Sequence, residues 1–476
     1  MSVIFRFFDA GFLPFGVRHL FLSNMKKLFT ILLSFLIVQV ATAQPARRYQ
    51  KDPFLDSLSL HTFRFFWDLG NTDNAQIPDR WPTDNFSSIA ATGFGLTSYV
   101  VGVEKGYITR KQAAERVLRT LRVLNELPKG PQMTDVSGYK GFFYHFLVQK
   151  TGLRFQNVEL STIDTGLLMA GILVCMTYFD AEDGQEKAIR ELADKLYREV
   201  EWDWAMNGQK TMSMGWFPDK GFLDASWRGY NEAMVLLVMA MGSPTHPIGA
   251  EAWDAWTASY QWKKHQGMEY VNFGPLFGHQ YSHCYIDFRG IQDKYMRAKG
   301  IDYFENSRRA TLANWKHCVQ NPGGFDEYGE KMWGLTACDG PGNKDKWDPN
   351  THFMDYSARG VGYTYLEDDG TIAPTAAGGS IPFAPKICIE ALRNMKEKYP
   401  RTYRKYGFID AFNFSFLYEN GDKGWYDIDQ LGIDQGPILI QLANYQDDTV
   451  WKILRKNPYI VSGLKKAGFT GGWLGN

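Results

Sequence analysis

Four carboxylates in this chain stand where apolar runs begin. Glu232, in Gly229-Tyr230-Asn231-Glu232, opens the run from Ala233 to Ala240; Asp164 follows Ser161-Thr162-Ile163; Asp287 precedes Phe288-Arg289; Asp434 lies in Gly432-Ile433-Asp434-Gln435-Gly436-Pro437. Taken singly, each has a structural reading, because an acid at a helix start caps N–H groups or offsets the dipole and stabilises by about 0.5–2 kcal/mol. Taken together, several carboxylates among aromatic residues on one rim form the constellation of inverting glycoside hydrolysis. In that chemistry a protonated acid and an ionised base flank the bond and leave room for a water.

The surroundings divide the two roles. Glu232 has Trp227 and Tyr230 beside it and an apolar helix behind it, and burial beside aromatic rings raises a carboxyl pKa, so it is the candidate general acid. Asp434 sits at a helix start among glycines that let the backbone approach a ligand; N–H donors there favour the charged form, so it is the candidate base, with Asp429 as its rival. The turn-like stretch from Met133 to Phe146 offers Asp135, Tyr144 and His145 to sugar hydroxyls, and Glu159 has similar access. Structural roles stay equally open for these residues. Asp164 and Asp287 are further rim candidates, and Arg289 is placed to neutralise Asp287. Trp216, Trp227, Trp333 and Trp425-Tyr426 fall in loops, where they either stack on sugar rings or plug the core.

The elements that must hold these groups are helical. Periodicity and end signals predict helices over Leu55–Leu69, Thr92–Lys105, Thr109–Glu126, Ser161–Tyr178, Gln185–Glu201, Asn231–Met241, Pro247–Gln261, Arg289–Lys299, Tyr303–Asn321, Gly379–Tyr399, Tyr403–Phe408 and Asp434–Gln441. Amphipathic segments with charged outer faces alternate with segments apolar or small all round, such as Thr92–Thr97 and Asp164–Gly171. A helix apolar on every side is buried on every side. The alternation implies an all-α double-layered toroid, an (α/α)6 barrel whose inner-helix N-termini converge on one mouth. Tyr270–Asp287 and Asp326–Thr375 read as long aromatic loops over that mouth.

Composition narrows the partners. The chain has 476 residues, 45% hydrophobic, with 52 basic and 52 acidic side chains and no basic run, so it lacks the electrostatic footprint for nucleic acid or an anionic membrane. An uncharged partner such as a neutral glucan fits, and 15 Trp, 25 Tyr and 33 Phe offer faces for carbohydrate rings. Met25-Lys26-Lys27, the apolar stretch Leu28–Val40 and Ala41-Thr42-Ala43 read as a secretory signal peptide over 25–43, with the mature start near Gln44 and residues 1–24 an over-extended start. This predicts a periplasmic or secreted, monomeric protein without a membrane anchor, and a single domain over 50–476. Five widely spaced cysteines without CxxC spacing argue against a zinc site or a dense disulfide framework. His279 and His283 are an i,i+4 pair lacking the Glu of HExxH, and neither Glu367-Asp368-Asp369-Gly370 nor Asp427–Asp434 matches a calcium loop. No metal and no cofactor are expected.

Six stretches carry a resemblance: "HTFRFFWD", "STIDTGLLMAGIL", "WRGYNEAMVLLVMAMGSPTHP", "HCYIDFRGIQD", "WGLTACDGP" and "IAPTAAGGSIPFAP". Together, across nearly all of residues 50 to 470, the chain resembles the glucoamylase-like domain of bacterial proteins, which includes the exported endo-β-1,2-glucanases of glycoside hydrolase family 144. The resemblance implies an (α/α)6 barrel, inversion at the anomeric carbon and release of short β-1,2-gluco-oligosaccharides. It places the acid at the third inner-helix entrance and the base at the sixth, which correspond to Glu232 and Asp434; a proton relay would let another acid serve as base. An exo-acting glucosidase and a non-catalytic glycan-binding protein are the competing readings.

Overall fold

In a computed structural model the described residues are 52–71, 73–83, 86–342, 353–418 and 420–475. The expected leader lies outside them. Residues Asp52–Asn476 cluster as one compact unit, and among the described residues no helix is long and apolar enough to cross a membrane.

Twelve helices alternate as the sequence pattern requires. The outer set is α1 (Pro53–Leu69), α3 (Arg110–Glu126), α5 (Gly184–Arg198), α7 (Glu251–Thr257), α9 (Tyr303–Gln320) and α11 (Pro385–Lys398). The inner set is α2 (Ile89–Glu104), α4 (Thr162–Tyr178), α6 (Met234–Gly242), α8 (Tyr281–Tyr285), α10 (Pro374–Gly378) and α12 (Gly432–Asp447). Outer helices bury a stripe: α5 buries Ile189, Ala193, Leu196 and Tyr197 while its charged residues face out, and Asp183 caps it by accepting from the N–H groups of Gln185 and Glu186. Inner helices have no outer face; every residue of α6 is buried.

Contacts between successive inner helices close the ring. A Cβ on Gly171 would lie 2.1 Å from the Gly93 carbonyl oxygen, so α2 and α4 cross with their backbones touching. Gly166 of α4 admits Leu236 of α6. Ser282 of α8 donates to the Glu232 carbonyl and accepts from the Val235 N–H, both at 2.9 Å. Gln280, the residue before α8, donates to the Ala376 carbonyl of α10 at 2.9 Å. Gly378 of α10 faces Ile438 of α12, and Gly436 of α12 seats the Phe94 ring of α2. Small residues are needed at these crossings because packed inner helices leave no volume for a methyl group.

Short strand pairs gather the inner-helix entrances on one face. Ser87–Ser88 leads into α2 and pairs with Phe146–Leu147. Leu160–Ser161 leads into α4 and pairs with Trp216–Gly215. Gln430–Leu431 leads into α12 and pairs with Trp81–Arg80.

Three expectations change. The fourth and fifth inner helices are five-residue segments, too short to show a 3.6-residue period, and they lie where the sequence reads as loop. The fourth was expected over Arg289–Lys299; only Lys294–Lys299 is helical there, and it stands outside the ring. Tyr403–Phe408 is a hairpin pairing Tyr403 with Phe408 and Arg404 with Gly407, because Gly407 at φ +101° breaks any helix.

Candidate active site

The entrances of α4 and α6 build one half of the mouth. Ser161 caps α4 and donates its hydroxyl to Asp164 Oδ2 at 2.5 Å, while Asp164 Oδ1 lies 3.6 Å from His145 Nε2. His145 Nδ1 is 2.8 Å from Glu159 Oε1. Burial alone would discharge His145, but Asp164 and Glu159 outweigh it and push its pKa up to about 9, so it is a cation between two carboxylates. Glu159 is held below the usual carboxylate range despite its burial. Glu232 lies in the turn before α6, half-buried. Desolvation, aided by the nearby Asp164 charge, raises its pKa to about 7 against the pull of its own backbone N–H.

The other half is an acid-rich chamber at the entrance of α12. Arg80 Nε reaches Asp79 at 2.9 Å, and its Nη1 reaches Asp339 at 2.7 Å and Asp429 at 3.8 Å. Asp410 Oδ2 accepts from the Asp339 N–H at 2.7 Å, and Asp427 Oδ1 from the Asp429 N–H at 2.9 Å. Asp434 is 4% exposed and Asp410 1%. Their carboxyls hydrogen-bond to one another, and neither Asp410 Oδ1 nor Asp434 Oδ2 has a donor from any other described group. Two carboxyls in contact need a proton between them. Burial pushes both pKa values up; the Asp434 charge pushes Asp410 further, while the hydrogen bond from Asp410 restrains Asp434. Asp410 and Asp434 therefore share a proton. Helix N–H groups were expected to keep Asp434 acidic, but burial prevails and raises its pKa to about 7.

One oxygen each from Asp339, Asp410 and Asp427 lies within 4.8 Å of the others, the spacing at which carboxylates can hold a cation. Here Arg80 and the shared proton already supply positive charge. Asp79, buried and pushed up in pKa by desolvation, feels both Arg80 and His145, and it in turn raises Asp434. It therefore lies within electrostatic reach of both halves. Tyr281, the first residue of α8, does too: burial raises its phenol pKa, and Asp434, Tyr356 and Glu232 each raise it further. Its segment touches both entrances: Ser282 bonds the Glu232 carbonyl, and the Tyr281 ring meets Phe94, which rests on Gly436 of α12.

The other sequence candidates divide by exposure. Trp216 is half-buried beside the α4 entrance, its ring 5.3 Å from Tyr139 and 5.7 Å from Trp204. Trp227, 6% exposed, donates its indole N–H to Thr162 Oγ1 at 2.9 Å and braces the start of α4. Trp333 is 0% exposed and cannot stack on a sugar. Tyr144 is likewise fully buried, with the Arg154 guanidinium 4.4 Å over its ring. Tyr230 is 4% exposed and packs among Trp256, Tyr260, Tyr303 and His279. Asp135 stands in an exposed turn at φ +63°, bonded to the Thr134 hydroxyl.

Asp287 is a correction. It follows α8 rather than preceding an inner helix, because the ring helix runs Tyr281–Tyr285. Its carboxylate, 0% exposed, is neutralised by Arg289 at 2.8 Å and by Arg455. Arg289 also binds Asp448, at the C-cap of α12, at 2.9 Å. Asp287 and Arg289 therefore belong to the end of the ring opposite the mouth. The groups missed by sequence reading are Asp79, Arg80, Asp339, Asp410 and Tyr281. Acid-dense, aromatic loop segments such as Asp79-Arg80-Trp81 were the available signal.

A helical toroid with carboxylates at one mouth defines a glucoamylase-like barrel. Residues 224–458 match the sequence family Glycoamylase, described as "Putative glucoamylase". A Bacteroides uniformis structure of the same description is 33% identical, covering 89% of this chain and 100% of that one, with a TM-score of 0.77. The chain belongs to this family. The Chitinophaga pinensis endo-β-1,2-glucanase, solved with sophorotriose and glucose, is 29% identical over 88% of this chain and 98% of that one, with a TM-score of 0.76. A Parabacteroides distasonis exo β-1,2-glucooligosaccharide sophorohydrolase (non-reducing end) is 27% identical over 87% of this chain. This chain spans 58% of that relative's length.

Proposed function

We propose that the protein is a glycoside hydrolase that cleaves β-1,2-glucan internally, with inversion, to short β-1,2-gluco-oligosaccharides. The carrying observation is that Glu232 and Asp434 stand at the third and sixth of six inner-helix entrances, with the Tyr281 segment bonded to the Glu232 carbonyl through Ser282 and packed through Phe94 on Gly436, two residues past Asp434. Glu232 gives its proton to the glycosidic oxygen as the C1–O bond breaks. A water adds to C1 from the opposite face, and Asp434, directly or through a relay, takes the proton that the water loses. Arg80 and Asp410 hold Asp434 ready, and Trp216, Glu159 and Asp164 lie where they can bind the sugar. Endo action is favoured over exo because the chain matches nearly the full length of the endo-acting Chitinophaga relative. A periplasmic or secreted monomer is part of the same proposal, on the strength of the leader pattern.

Purified protein is incubated with linear α- and β-glucans, the products are sized, and the anomer first released is read by NMR. A ladder of β-1,2-oligomers with the α-anomer first is expected; disaccharide alone would indicate exo action. Glu232→Gln should lower kcat by about 10²–10⁴-fold with Tm unchanged. In the wild type, kcat/KM should follow a narrow bell near pH 7, rising as Asp434 loses its proton and falling as Glu232 loses its own. Normal turnover by Glu232→Gln would remove the acid assignment.

A further inference from the structure

Tyr281 is fixed in place from both sides. Its neighbour Ser282 donates to the carbonyl of Glu232 itself and accepts from the Val235 N–H, each at 2.9 Å. Its other neighbour, Gln280, is 0% exposed and donates to the Ala376 carbonyl and to Ser380 Oγ at 2.9 and 2.8 Å. The ring packs against Phe277 at 5.4 Å and edge-on to Phe94 at 5.9 Å. Phe94 in turn rests on Gly436, two residues past Asp434. One backbone connection therefore ties Tyr281 to the Glu232 segment, and a ring contact ties it to the Asp434 segment. The residue itself is half-buried at the entrance of α8.

We propose that the Tyr281 hydroxyl contacts the substrate, holding a hydroxyl of the glucosyl unit at the bond being broken, between Glu232 and Asp434. A phenol both donates and accepts and stays neutral beside two carboxylates, so it can orient a sugar without exchanging protons with the acid or the base. The fixed backbone on both sides leaves little freedom to lose on binding. The inference rests on the proposed hydrolysis and concerns one hydroxyl within it.

Tyr281→Phe keeps the ring packing and removes only the oxygen. It should lower kcat/KM on β-1,2-glucan by about 10- to 100-fold with Tm unchanged. In a Glu232→Gln background, calorimetric binding of a linear β-1,2-gluco-oligosaccharide should weaken by about 5- to 30-fold when Tyr281→Phe is added. Ring-labelled tyrosine NMR on Glu232→Gln alone gives the same readout without altering Tyr281: its Cζ resonance, assigned by difference from the Phe variant, should move on ligand addition. Kinetics and binding within twofold of the parent, or an unmoved resonance, would overturn the inference even with Glu232→Gln inactive. An active Glu232→Gln would instead sink the acid assignment. If the wild type proves to cleave another glucan, the same measurements on that glucan decide the role of Tyr281.

Discussion

The two ends of the inner ring handle buried aspartates in opposite ways. At the far end, Asp287 meets Arg289 and Arg455, and Asp448 shares Arg289, so two carboxylates face two guanidiniums. At the mouth, Asp79, Asp339 and Asp429 converge on Arg80, the one arginine paired with them among the described residues, with Asp410, Asp427 and Asp434 beside them. A carboxylate matched by arginine serves structure, because its charge is settled in every state of the molecule. Carboxyls outnumbering their cation must hold protons, and a buried proton that can move is what acid–base catalysis needs. The contrast separates aspartates that look equivalent in the sequence.

The comparison can be broken most severely at Asp410. If it is a proton-holding donor to Asp434, Asp410→Asn, which also donates, should keep activity within about tenfold, while Asp410→Ala should lose about 10²-fold or more. Equal losses in the two variants, measured as kcat on β-1,2-glucan, would show that the charge of Asp410 matters rather than its donor. At the opposite end, Asp287→Ala leaves two arginines without their buried partner. It should cost about 1–3 kcal/mol in denaturant unfolding while kcat of the folded fraction stays near wild type. A large fall in kcat there would erase the distinction between the two ends.

The smallest expected effect sharpens the mouth itself. The folded-state pKa of His145 is raised from 6.5 to about 9, so its contribution to stability is full below about 6.5 and is lost as pH rises through about 9. The Tm of the wild type should therefore fall relative to His145→Gln across that window. Parallel Tm curves would mean that His145 is not charged between Glu159 and Asp164.

The parts legible in the chain were those carried by local physics. Amphipathic segments with charged outer faces predicted α3 and α5, and apolar ones predicted α2, α4 and α6. Glu232, Asp164 and Asp434 were visible because each stands at the start of such a segment. Trp333 misled because a loop position implies exposure, whereas here the loop folds back and buries it. Asp287 misled because the five-residue α8 has no period to reveal it, so the acid was assigned to the wrong end of the ring.

The sequence by itself determined the alternation of inner and outer helices and which acids stand at the entrances, since period, capping and apolar runs act over a few residues. Only the tertiary structure decided how charge is distributed among those acids. Arg80 meets Asp339 across 259 residues, and Thr83 meets Asp429 across 346, contacts that exist only once the ring has closed. Desolvation follows from that closure, so the proton shared by Asp410 and Asp434 belongs to the folded molecule rather than to any stretch of its chain.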